Sequence, residues 1–208
     1  MSKRALPPSI PDFRIRNMNP ALGFAQQGSP RPGSLTPPQI KRIVKDFRQR
    51  QAARAAADRL VPKTKISDIA GKLYAAPFTL AGSVAGMANV ALARAAGDKR
   101  AGISMRDNGI QFESGYFGDK GRAFTLGNAV LHGPGSRPGD LNNRYDGAPT
   151  AATTAEHESG HTYQYQNPTF VPGYLLHLVH EALTGTPNPY EREADDFSEW
   201  KHRQKGGG

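Results

Sequence analysis

The chain has 208 residues, with 27 Lys and Arg against 18 Asp and Glu, and no cysteine. That length suits one domain with an extension, or two small ones, and the missing thiols exclude disulfides and thiolate metal sites. Residues 1–65 hold 14 basic residues against 3 acidic ones, and residues 66–208 balance at −2, so the net charge of +9 belongs to the N-terminal third.

The start, Met1 to Pro8, is charged but has no apolar core and no small-residue cleavage site. It does not read as a secretory signal, which predicts a chain that is cytoplasmic as made. Residues 1–39 are rich in Pro, Gly, Ser and Arg and predict a disordered arm. Gln39 to Leu60 predicts a helix, with Ile40, Ile43, Val44 and Phe47 on one face and Arg42, Lys45 and Arg48 around it. Such a helix docks by its apolar face, or lies on an anionic membrane. No base-reading motif accompanies the charge, so nucleic acid is not the expected partner.

Leu73 to Ala93 is 21 residues without a charge, flanked by Lys72 and Arg94. The length meets the transmembrane criterion. Its Ala and Gly content, Pro77, and the Gly82–Gly86 spacing favour instead a close-packed helix of the domain. Residues 40–98 together form a helical, basic and Ala/Gly-rich extension.

From Gly102 the period changes to two. Ile103–Met105 and Ile110–Phe112 flank Asp107-Asn108-Gly109, a hairpin turn signal. Ala123 to Leu131 predicts one further strand, in which Gly127 and Asn128 would suit a close backbone approach. His132 to Thr150 is a long loop. Within it, Asn142 to Asp146 is a candidate cleft lining or ion site, with no calcium-loop spacing.

Ala151 to Gln166 predicts a helix that stops before Pro168, capped by Thr150, Thr153 or Thr154. It carries His157-Glu158-Ser159-Gly160-His161. Positions i and i+4 share one helix face, so both imidazoles can reach one metal ion. Glu158 can take a proton from a water that the metal activates. Gly160 would let another element come close. Phe170 to Leu183 predicts a helix whose Leu175, Leu176, Leu178, Val179, Ala182 and Leu183 supply a core.

A catalytic zinc site needs a third protein ligand. Glu191 is the first choice. Asn188 caps its helix, Pro189 opens it, and Asp195 one turn later can support a ligating histidine. Glu181 is the alternative ligand, with Glu193, His177 and His180 behind it. Tyr163, Tyr165, Tyr174, Tyr190, His177 and Asn128 are candidates for substrate or transition-state contacts.

His157-Glu-x-x-His161 followed by Glu191-x-x-Ala194-Asp195 resembles the gluzincin-type metallopeptidases. Gly127-Asn-Ala-Val-Leu131 and the tyrosine-rich helix end resemble, more narrowly, the small zincin domains of bacterial toxins and secretion-linked effectors. The resemblance covers roughly residues 100–200. It implies His157, His161 and Glu191 as zinc ligands, Glu158 as general base and Asp195 as a supporting residue. It implies an α+β, zincin-like domain over 99–204, with a small antiparallel sheet packed on the metal helix; the tail, Lys205-Gly-Gly-Gly208, reads as flexible from its own glycines. It also implies a peptide or protein substrate, an immunity or inhibitor partner, and export by a dedicated secretion system. Two other functions compete: an inactive zinc-binding interaction module, and a membrane-perturbing toxin acting through 73–93.

Overall fold

The computed structural model describes residues 35–206, apart from 146 and 149. The predicted arm, up to residue 34, lies outside the described residues, as do Asp146 and the last two glycines. Contacts divide the chain at Pro37, and residues 38–208 form one compact unit. The helices expected as an extension therefore share a unit with the residues of the metal motif.

The elements run α1 (Pro37–Leu60), α2 (Lys65–Ala95), β1 (Gly102–Arg106), β2 (Gly109–Glu113), β3 (Ala123–Leu126), β4 (Ala129–His132), α3 (Thr154–Tyr165), α4 (Phe170–Thr184) and α5 (Pro189–Gly206). The class is α+β, as the pattern of elements predicts. The first hairpin turns at Asp107 and Asn108, both with positive φ (52° and 66°), the two-residue geometry that matches strand twist.

The sheet differs from expectation in two ways. Residues 123–131 form a hairpin rather than one strand: Gly127 turns the chain with φ +64° and Leu126 pairs with Ala129. Apolar residues on both sides of Gly127-Asn128 disguise the turn as a continuous strand. The sheet is also mixed, not antiparallel. Its order is β1-β2-β4-β3, and β2 and β4 run parallel. The segment 114–122 carries the chain past the position of β4, so the second hairpin joins the first through β4 and leaves β3 as an edge.

Helix α2 lies on this sheet through its small residues. Ala75, Gly82, Gly86, Val90 and Ala93 are buried, and a methyl group at Gly86 would run into the Phe112 ring. Phe112, Val90, Ala93, Ala101 and Ala129 form one core cluster. Helix α1 makes a second with Ala56 and Ala57 against Phe197 of α5. The core expected along α4 is not there. Phe170 is its one buried residue, and Leu175, Leu176, Leu178, Val179 and Leu183 are exposed. Apolar content marks the helix, but among the described residues nothing covers these leucines.

Candidate metal centre

Helix α3 has little apolar character, yet nearly every residue is buried. Its polar groups are paired, which is what allows them inside. Thr153 caps the helix: its hydroxyl accepts from Glu156 N, and the Glu156 carboxylate accepts from Thr153 N at 2.8 Å. On α5, Asn188 Oδ1 accepts from Tyr190 N at 3.0 Å and Pro189 opens the helix. Glu191 follows in the first turn. Gly160 meets α5 at Ala194, where an added Cβ would lie 2.9 Å from the Ala194 Cα. That approach brings the first turn of α5 over the histidines of α3.

Three side chains converge there. Glu191 Oε2 is 3.5 Å from His157 Nε2 and 3.3 Å from His161 Nε2. One ligand atom from each residue fits within 4.8 Å of the others. The outer nitrogens are both occupied. Asp195 Oδ1 lies 2.9 Å from His157 Nδ1, and Gln164 Oε1 lies 2.8 Å from His161 Nδ1. These acceptors favour a proton on Nδ1 and leave both Nε2 atoms turned to the same point as Glu191. Asp195 is itself held by Asn142 Nδ2 at 3.1 Å and Tyr145 N at 2.8 Å. Gln164 Nε2 donates to Tyr190 O at 2.9 Å and to Glu193 Oε2 at 3.1 Å.

The electrostatics favour positive charge at this point. Burial opposes charging His157, but hydrogen bonds to Asp195 and Glu191 outweigh it and push its pKa up to about 10. His161 is raised as well, against burial, by Glu191. Burial would raise Glu191, yet the two imidazoles hold it far below the usual carboxylate range. A proton or a metal cation satisfies the same need. Two imidazoles and a carboxylate are an ordinary donor set for a catalytic divalent metal, zinc among them. The residues present therefore fit such an ion.

Glu158 stands in the same cleft, its Oε2 accepting from Thr125 Oγ1 at 2.6 Å. The cleft encloses about 540 Å³. Its walls come from β3 (Ala123 to Thr125), the loop residues Leu141 to Tyr145, the end of α3 and the cleft side of α4.

The sequence candidates divide around it. His157, Glu158, His161, Glu191, Tyr165, Tyr174 and the alternative ligand Glu181 line the cleft, but Glu181 is not part of the converging trio. Tyr174 OH donates to Glu191 Oε1 at 2.8 Å. Tyr163, Tyr190, His177 and Asn128 are not on the lining. Tyr163 packs on Phe197. Tyr190 stacks among Phe170, Tyr174 and His177. Asn128 sits in the β3–β4 turn, its backbone N–H donating to Thr79 Oγ1 at 2.8 Å. Glu193 faces Arg59 and Gln164 instead of the metal point.

Two working residues escaped the sequence reading. Gln164 is three residues from His161, a spacing that puts it on the same helix face and could have marked it. Thr125 comes from a strand remote in sequence, and no local signal marks it. No protein-family model, no curated protein and no solved structure matches this chain.

Proposed function

We propose that this protein is a zinc-dependent hydrolase of the zincin kind, acting on the amide bond of a peptide or protein. The observation that carries the reading is convergence: His157, His161 and Glu191 share one point, and Glu158 faces the same cleft. A merely structural zinc site would not need Glu158 there. Zinc, when bound, supplies Lewis acidity, lowering the pKa of a water and polarising a carbonyl.

The chain's own residues supply the rest. Glu158 takes the proton of the attacking water and returns it to the leaving amine. Thr125 fixes one oxygen of that carboxylate. Asp195 and Gln164 keep the two imidazoles turned inward. Tyr174 stays protonated, its pKa raised by burial and then by the charge of Glu191. Its hydroxyl now donates to Glu191; turned from that carboxylate to the substrate, it would supply a donor for the oxyanion. Strand β3 ends the sheet and lines the cleft. An extended peptide can pair with such an edge, with Phe124, Leu141 and Leu178 as apolar walls. The place among toxins or secreted effectors, and an immunity partner, rest on the motif resemblance.

The test is peptide-library cleavage by zinc-replete protein beside Glu158→Gln. Cleavage by the parent and none by the variant is expected. Equal cleavage by both, or a metal site lacking either histidine, overturns the reading.

A further inference from the structure

Helix α2 is built inside out for a helix surrounded by water. Its inward face holds the small residues Ala75, Gly82, Gly86 and Ala93. Its large apolar residues point away from the sheet: Leu73 is 69% exposed, Leu80 68%, Val84 56% and Met87 51%. A surface helix of a soluble domain has the opposite arrangement. Every exposed residue from Leu73 to Leu92 is Leu, Ala, Val, Met, Pro or Tyr. Among the described residues this is the one helix long and apolar enough to cross a bilayer, yet its other face is committed to β2, β3 and β4.

We propose that the outer face of α2 lies on an anionic lipid bilayer, with the helix axis along the membrane surface. Two observations select lipid over a protein partner. The first is the breadth of the apolar arc, along which the half-buried polar residues are only Thr79 and Ser83. A helix–helix seam covers two positions per heptad and is bordered by charged positions, and a protein interface has a polar rim. Here the apolar arc covers the whole exposed side, so a second helix would leave much of it in water. A bilayer interface covers such an arc entirely.

The second observation is charge. Residues 61–100 hold six Lys and Arg against two Asp, all outside Leu73–Ala93. Lys65 and Lys72 stand before the apolar stretch, and Arg94, Lys99 and Arg100 after it. Helix α1 precedes α2 by a four-residue connection and adds seven basic residues against two acidic ones. Its own apolar residues Ile40, Ile43, Val44 and Phe47 are exposed as well. Basic residues at both ends of an apolar face match anionic headgroups around an acyl region.

The absence of cysteine allows a site-directed test in the full chain. Val84→Cys carries an environment-sensitive fluorophore, and Lys120→Cys carries the same label on an exposed loop residue. The probe is vesicles of equal parts phosphatidylcholine and phosphatidylglycerol, compared with phosphatidylcholine alone. The Val84→Cys label is expected to shift to the blue with the anionic vesicles, and the Lys120→Cys label to stay unchanged. Unlabelled protein should sediment with the same vesicles, less so at high salt. The pair Leu80→Asp and Val84→Asp should lower that partitioning by roughly tenfold or more. Both positions are exposed, and circular dichroism checks that the fold survives.

Vesicle binding unaffected by the aspartate pair overturns the proposal, as does an unshifted Val84→Cys label. A blue-shifted label before lipid is added also overturns it. Dependence of that shift on protein concentration would then assign the face to a second copy, and independence to another part of this chain.

Discussion

Gln164 holds His161 as Asp195 holds His157: its amide oxygen sits 2.8 Å from His161 Nδ1, and the Asp195 carboxylate 2.9 Å from His157 Nδ1. One imidazole thus has a neutral partner and the other an anionic one. A carboxylate raises imidazole basicity more than an amide does. The two supports are therefore unequal, and removing each should have a different cost.

Gln164→Leu and Asp195→Ala should both lower zinc affinity, by roughly 10–100-fold. Asp195→Ala should lie at the larger end, because it removes charge as well as a hydrogen bond. Competition against a chromophoric chelator measures both. Unchanged affinity in Gln164→Leu would show that His161 keeps its orientation without the amide.

The two glutamates of the cleft should fail in different ways. Glu191→Ala removes a ligand and should weaken zinc binding by more than either supporting variant. Glu158→Gln keeps the shape of the side chain and its reach to Thr125, so zinc affinity should hold while turnover is lost. Glu181→Ala should leave zinc affinity unchanged, since Glu181 lines the cleft outside the converging trio. Loss of zinc in Glu181→Ala with none in Glu191→Ala would exchange their roles.

What the sequence made legible follows the range of each interaction. His157 and His161 are four apart on one helix, and the Asn188-Pro189 start fixes where Glu191 stands on the next, so a local pattern carries most of the metal point. The first hairpin is equally local, written in Asp107-Asn108-Gly109. The parallel pairing of β2 with β4 depends on how two hairpins meet, and no short stretch encodes that. Thr125 reaches Glu158 across 33 positions of sequence for the same reason. The leucines of α4 mislead because their periodicity reports a helix but not whether anything packs against it.

Gly160→Val should separate α3 from α5. An added Cβ would stand 2.9 Å from the Ala194 Cα and 3.1 Å from its Cβ. Backbone cannot rotate away, so the helices must part. Overpacking of this kind costs roughly 1–3 kcal/mol. Because Glu191 rides on α5, zinc affinity should fall together with stability. Urea unfolding and chelator competition measure the two. A stability loss with zinc affinity intact would mean that the Gly160 contact does not set the position of Glu191.

The final prediction concerns pH in the zinc-free protein. Burial disfavours the charged form of His157, but Asp195 and Glu191 outweigh it and push the pKa up to about 10. An unfolded histidine titrates near about 6.5. The folded state therefore binds more protons than the unfolded state between these values, and stability falls as pH rises there. The His157 contribution should be fully present below about pH 6.5 and lost as pH climbs toward about 10. His161, raised in the same direction by Glu191, adds to the trend. Zinc competes with the same protons, so its apparent affinity should rise with pH across that window. Urea midpoints of chelator-stripped protein at several pH values check the first part, and zinc titrations at the same values check the second. His157→Gln should flatten much of the stability slope. A zinc-free protein whose stability is level across the window would mean that the cluster holds no extra proton when the metal is absent.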